Sequence, residues 1–277
     1  MHCNRIFRTG AFFIAFSMLL VSACRRDVSN HLADADDNGG YASDLSRIEL
    51  YNNDAVSIAD AAGTNYNKDY IGIEGCVTVA VDTVSPPPHV LIIRFGNCKS
   101  LDGRLRNGAI IVKYDGQYTD TAQIHTITFD NYYINGTQLT GSIKCIRVDT
   151  TIVGNWYYKI SVNDSLNMSL DPLQSQYVIW TGTLVRKWVA GYATLDRSGD
   201  IFSVSGSGTL TRPNLHKFSC NISTPLQFAI NCDYAESGVV NVTGFNGVRV
   251  LNYGTGYCDP NAQLNIGTAV YNFLLTK

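Results

Sequence analysis

Between Asn155 and Asn163 the chain alternates strictly. Trp156, Tyr158, Ile160 and Val162 fall on one side, and Tyr157, Lys159 and Ser161 on the other. A period of two sends successive side chains to opposite faces of a strand, so this run specifies a β-strand with one apolar face and one face that can meet water. After Tyr70 the same pattern continues in runs of about five to ten residues broken by Gly, Asn and Asp. Asp102-Gly103, Asn107-Gly108, Asp115-Gly116, Asn135-Gly136 and Asn246-Gly247 supply the positive φ of tight hairpins. Ser205-Gly206-Ser207-Gly208 reads as a further hairpin turn. Closely spaced hairpins leave no room for the crossovers of a parallel sheet, so roughly a dozen or more strands should pair mainly antiparallel. The fold class is all-β, either a sandwich or a curled open sheet. One short helix is expected over Asp54 to Ala62, with Asp54 as N-cap and Gly63 beyond its end.

The N-terminus reads as an address. Arg5 and Arg8 precede the apolar run Ala11 to Val21, too short to span a membrane as a mature helix, and residues 1–23 have the form of a cleaved signal. The run closes on Val21-Ser22-Ala23-Cys24, which resembles the lipobox of bacterial lipoproteins. That resemblance implies lipid on Cys24, a membrane partner through it and, with Arg25 rather than Asp next, delivery to the outer membrane of a Gram-negative bacterium. Residues 24–46 then form an acidic tether and 47–277 a single all-β domain. Surface and periplasmic faces both remain open.

Aspartate and glutamate number 23 against 21 lysines and arginines, for a net charge of −2, and loss of the signal removes two arginines and no acid. So modest a balance argues against a nucleic-acid partner, whose affinity would rest on Lys and Arg neutralising phosphates.

Two segments look like one device used twice: Leu91 to Cys98, and Arg249 to Cys258. Each is an apolar strand, an aromatic-Gly pair and a turn ending in Cys. With Asp102-Gly103-Arg104-Leu105-Arg106-Asn107-Gly108 and Phe129-Asp130-Asn131-Tyr132, these residues make the chain from about Tyr70 onward resemble a group of uncharacterised β-rich lipoproteins of Gram-negative envelopes. The resemblance implies an envelope location and a β fold and carries no activity. Its aromatic-Gly turns usually follow an Asp; here Arg94 and Asn252 stand in those places.

Beyond Cys3 and Cys24, six cysteines remain: Cys76, Cys98, Cys145, Cys220, Cys232 and Cys258. An even number in an exported chain points to disulfides. A hairpin centred on Pro86-Pro87-Pro88 would set Cys76 opposite Cys98. Cys232 has two candidate partners, Cys220 and Cys258. No two of the six stand at metal-binding spacing.

Catalytic signatures are missing: there is no H-E-x-x-H, G-x-S-x-G, P-loop or G-x-G-x-x-G before a helix. His31, His89, His125 and His216 are scattered. Asp130, Asp149, Asp164, Asp171, Asp196 and Asp200 could pair as glycosidase carboxylates, although β turns also demand Asp. Trp156, Tyr157, Trp180 and Trp188 could stack on a glycan or fill the core. The expectation is a non-catalytic, lipid-anchored envelope protein with a structural or ligand-binding role, an envelope protein or glycan as partner, and no cofactor or metal. The competing expectation is a carbohydrate-active hydrolase.

Overall fold

A computed structural model describes residues 40–64, 76–82, 84–100, 102–152, 155–168, 177–194, 197–212, 216–244 and 247–275. The signal, Cys24, Asp171 and Asp196 lie outside these residues. One helix, α1 (Gly40–Gly63), is followed by β1 (Val77–Asp82), β2 (His89–Lys99), β3 (Leu105–Tyr114), β4 (Ile124–Ile134), β5 (Thr137–Asp149), β6 (Trp156–Asn167) and β7 (Tyr177–Ala190). A 3-10 turn at Arg197–Gly199 leads into β8 (Ile201–Thr211), β9 (Lys217–Ala229), β10 (Ser237–Gly244), β11 (Gly247–Thr255), β12 (Asn261–Ile266) and β13 (Ala269–Leu274). All thirteen strands form one antiparallel sheet in sequence order, so the open-sheet alternative holds and the sandwich does not.

The sheet curls around α1. Contacts to the helix come from widely separated strands: Ile134 of β4 accepts from Tyr51 Oη, Tyr158 of β6 donates to Asp60, Arg186 of β7 donates to Asn53, and Phe218 of β9 stacks on Tyr41 at 4.8 Å. Strand alternation does the rest. Leu91, Ile93 and Phe95 on β2, Tyr158, Ile160 and Val162 on β6, and Phe202 and Val204 on β8 all turn inward onto one core. Gly141 and Gly206, at φ +101° and +132°, sit where the next strand crosses so closely that a Cβ would lie 2.4 Å from the Asn163 carbonyl oxygen and 2.3 Å from that of Thr183. Glycine there lets the inner face tighten around the helix.

Several sequence expectations change. The helix is not the short Asp54 to Ala62 segment but runs 24 residues, and Asp54 lies in its middle instead of at its N-cap. Residues 40–46, expected in the tether, belong to it. Ser205 to Gly208 lie inside β8 and not in a turn, because Gly206 and Gly208 are needed for close approach to Leu184 and Trp180. Asn107-Gly108 forms a bulge within β3 and not a hairpin, with Gly108 at φ +86°. No helix among the described residues is long and apolar enough to cross a membrane.

Candidate functional site

α1 carries acids and amides around its whole circumference, yet nearly all of it is buried. A buried charge needs a partner, and the sheet supplies arginines from its inner face. Asp54 is the densest point. Its carboxylate accepts Arg104 Nη1 at 2.7 Å and Arg106 Nη2 at 2.8 and 3.0 Å, while Arg106 also donates to Asp102. Burial alone would raise the Asp102 carboxyl, but the Arg106 and Arg104 guanidinium groups outweigh it and hold it below the usual range. Arg104 continues outward to Asp233 at 3.2 Å and to the Cys232 carbonyl at 2.9 Å. One helix turn is thereby tied to the start of β3 and to the loop between β9 and β10. Arg212 reaches Asp44 at 2.8 Å.

Farther along, Asp60 Oδ1 accepts the hydroxyls of Tyr158 at 2.6 Å and Tyr118 at 3.3 Å, with Arg186 Nη1 3.6 Å from Oδ2. His125 stacks on Tyr118 at 4.0 Å, bonds the Tyr118 carbonyl through Nε2, and stands opposite Cys145 in the β4 and β5 register. This places a Cys, a His and an Asp in one region, the raw material of a nucleophilic triad. The surroundings disarm it. Burial lowers the His125 pKa, keeping the ring neutral, and pushes the Cys145 thiol far above its ordinary value. A fully buried thiol is inert because the reactive species is the thiolate.

The cysteines settle into two bridges. Cys76 pairs with Cys98 and Cys232 with Cys258, at Cα separations of 5.8 and 5.6 Å. Cys76, just ahead of β1, is tied to Cys98 near the end of β2, and Cys232, in the loop before β10, to Cys258, in the loop after β11, so each bridge spans one hairpin, β1 with β2 and β10 with β11. The β1 and β2 register places Val77 opposite Phe95, which would face Cys76 to Gly96; Asn97, at φ +57°, adds the bulge that brings Cys98 round. Cys220 does not pair with Cys232. It and Cys145 are free and buried, so those two disulfide candidates are withdrawn. Burial pushes the Cys220 thiol up to about 12. Glu236 lies against the second bridge within 4.8 Å, but its two sulfurs are spent on each other and cannot ligate a metal.

Of the proposed glycan-stacking residues, Trp156, Trp180 and Trp188 are only 5, 1 and 5 % exposed. Trp156 meets Trp188 edge-on at 4.9 Å, and Trp188 stacks on Phe202. They fill the core, and Tyr157 alone of the four turns outward, on the water side of β6. The glycosidase carboxylates disperse too. Asp130 is exposed on β4, Asp149 takes Arg147 at the end of β5, Asp164 is buried facing α1, and Asp200 is fully buried against Arg197.

The outer face carries a site that sequence reading missed. A groove of about 580 Å³ is lined by Asn252 and Thr255 of β11, Asn261 and Gln263 of β12, and Asn272 and Phe273 of β13, among others. Register aligns Asn252 with Gln263 and Gln263 with Asn272, an amide row across three strands. The loop joining β11 to β12 bears Tyr257, 74 % exposed. The alternating Asn and Gln of these strands were the available signal, but only strand pairing sets them side by side. Comparison with known proteins finds no matching family model, no matching curated protein and no matching solved structure.

Proposed function

We propose that this is a non-catalytic, lipid-anchored protein of the Gram-negative outer membrane that holds a neutral, hydroxyl-rich ligand, such as a glycan, in the β11 to β13 groove. The groove itself carries this reading: Asn252, Gln263 and Asn272 stand in one row, and amides give and accept hydrogen bonds as paired sugar hydroxyls require. The lining residues include no carboxylate or histidine to serve as general acid or base, which favours binding over hydrolysis. The lipobox resemblance at Cys24 supports the anchor, since acyl chains would hold the domain at a bilayer without a spanning helix.

The reading is tested by screening the purified protein on an array of neutral and charged oligosaccharides, then titrating the best binder into Asn252→Ala and Gln263→Ala. Binding to neutral glycans that both variants weaken about tenfold supports it. Binding that neither variant alters, or none at all, removes the groove from consideration. For the anchor, fatty-acid labelling of wild type but not of Cys24→Ala is expected, and equal labelling of both refutes it.

A further inference from the structure

Among the described residues the sheet ends on β1 and β13, each with a strand on one side only. Exposed edges are ordinarily guarded by a charge, a proline or a bulge, and β13 has none of these. It reads Ala-Val-Tyr-Asn-Phe-Leu, pairs with β12 without a register shift, and belongs to a stretch, Pro260 to Thr276, that holds no charged residue. Its outer face shows Val270, Asn272 and Leu274, the two apolar side chains being 58 and 65 % exposed, while Ala269, Tyr271 and Phe273 are half-buried on the inner face.

The phase of the backbone tells which groups of β13 face the open edge. Antiparallel partners exchange their N–H and C=O groups at every second residue. Leu275 donates to the Pro260 carbonyl at 2.8 Å, in step with the pairing of Asn261 and Leu274. Odd-numbered residues therefore turn their backbone toward β12, and Val270, Asn272 and Leu274 turn theirs outward. Three donors and three acceptors stand in a row, and the partner that satisfies such a row is another strand.

We propose that β13 pairs antiparallel with the β13 of a second copy of this chain, about a two-fold axis through Asn272. In that register Asn272 opposes its own counterpart and Val270 opposes the partner's Leu274, so all three outward residues of each copy exchange both backbone groups. A two-fold register centred on any other residue of β13 leaves at least one of them without an opposing member of the set. Side chains agree with the backbone: exposed Val270 meets exposed Leu274 on the outer face, and Tyr271 lies opposite Phe273 on the inner face. With no charge on either strand, the two copies meet without like-charge repulsion. The contact is isologous and closes at two, whereas pairing β13 with β1 of another copy would leave edges for further growth. The same register runs the amide row of Asn252, Gln263 and Asn272 into its two-fold image, so two grooves form one longer platform; that consequence alone rests on the ligand reading given above.

The test sediments the purified, disulfide-intact full chain over about a hundredfold range of concentration and cross-links single-cysteine variants by mild oxidation. Wild type is expected to pass from one protomer to two. Asn272→Lys sets two ammonium groups face to face at the axis and should raise the dimer dissociation constant at least about tenfold, with near-ultraviolet circular dichroism reporting its fold. Asn272→Cys should form a disulfide-linked dimer, because directly opposed Cα atoms stand about 5.5 Å apart, within bridging range. Val270→Cys alone should not, since its two copies lie four residues apart along the strands, about 13 Å, yet it should cross-link when mixed with Leu274→Cys. The cysteine variants carry the test if the lysine variant fails to fold. A wild type that stays monomeric, assembles beyond two, or cross-links at Val270 as readily as at Asn272 overturns the proposal, as does a dimer that folded Asn272→Lys leaves intact. No glycan enters these measurements, so their failure leaves the groove reading standing, and failure of glycan binding leaves the dimer standing.

Discussion

Glu49→Gln gives a pH-dependent gain in stability whose size follows from burial. In the folded chain burial raises the Glu49 carboxyl from its ordinary value of 4.5 to about 8. Asp164 on β6, Cys220 on β9 and Tyr253 on β11 face it as acids or weak acids, while Arg186, which lines the same void, is turned to Asn53, Ser57 and Asp60. The folded protein therefore binds a proton that the unfolded chain gives up near 4.5. The stability associated with neutral Glu49 is complete below pH 4.5 and is lost as pH rises through 8. At about 1.36 kcal/mol per pH unit, the span from 4.5 to about 8 amounts to about 5 kcal/mol. Glutamine does not titrate. The variant should match wild type at pH 4.5 and exceed it by up to about 5 kcal/mol above pH 8, with part of the difference flowing through a lower Asp164 pKa once Glu49's charge is gone. Guanidinium unfolding of both proteins at pH 4.5, 6, 7 and 8.5 measures this. A difference that does not grow with pH would refute the argument, because it would mean Glu49 is solvated or paired in the folded state.

Four other outcomes follow from the same fold. Asp54→Ala leaves Arg104 and Arg106 buried without their shared carboxylate, and should cost about 3 to 5 kcal/mol in a denaturant melt; a loss below 1 kcal/mol would show the network to be hydrated. Cys232→Ser with Cys258→Ser opens a loop of sequence separation 26 and should cost about 3.5 kcal/mol on the chain-entropy account. Non-reducing peptide mass spectrometry should find Cys145 and Cys220 as thiols that alkylate only after denaturation, and rapid alkylation of the native protein would contradict their burial. Tryptophan fluorescence should resist iodide quenching until unfolding, since all three rings are in the core.

Local rules carried the strands. The alternation of Trp156 to Val162 is period two whatever the rest of the chain does, and Asn135-Gly136 turns the β4–β5 hairpin through local φ preferences, whereas Asp115-Gly116 only opens the longer link between β3 and β4. Asn107-Gly108 shows where that rule fails, because the same φ preference serves a bulge inside β3, and pairing with β4 decides which. The hairpin argument also found Cys76 with Cys98, although the bulge at Asn97 was needed to complete it.

The helix was the part hardest to read. Pattern methods look for one apolar stripe on a 3.6-residue period with polar residues opposite. α1 has no polar side in that sense, because Asp44, Asp54 and Asp60 point at arginines 50 or more residues distant in sequence, and its surroundings are interior on every side. The sequence by itself determined strand periodicity, some of the turns and the cysteines available for bridging, all of which depend on neighbours a few residues apart. Tertiary structure alone decided that the strands wrap a helix, that the tryptophans belong to the core, which cysteines pair around Cys232, and that Asn252, Gln263 and Asn272 form one row. Each of those is a contact between distant residues, fixed only when the whole sheet buries its inner face.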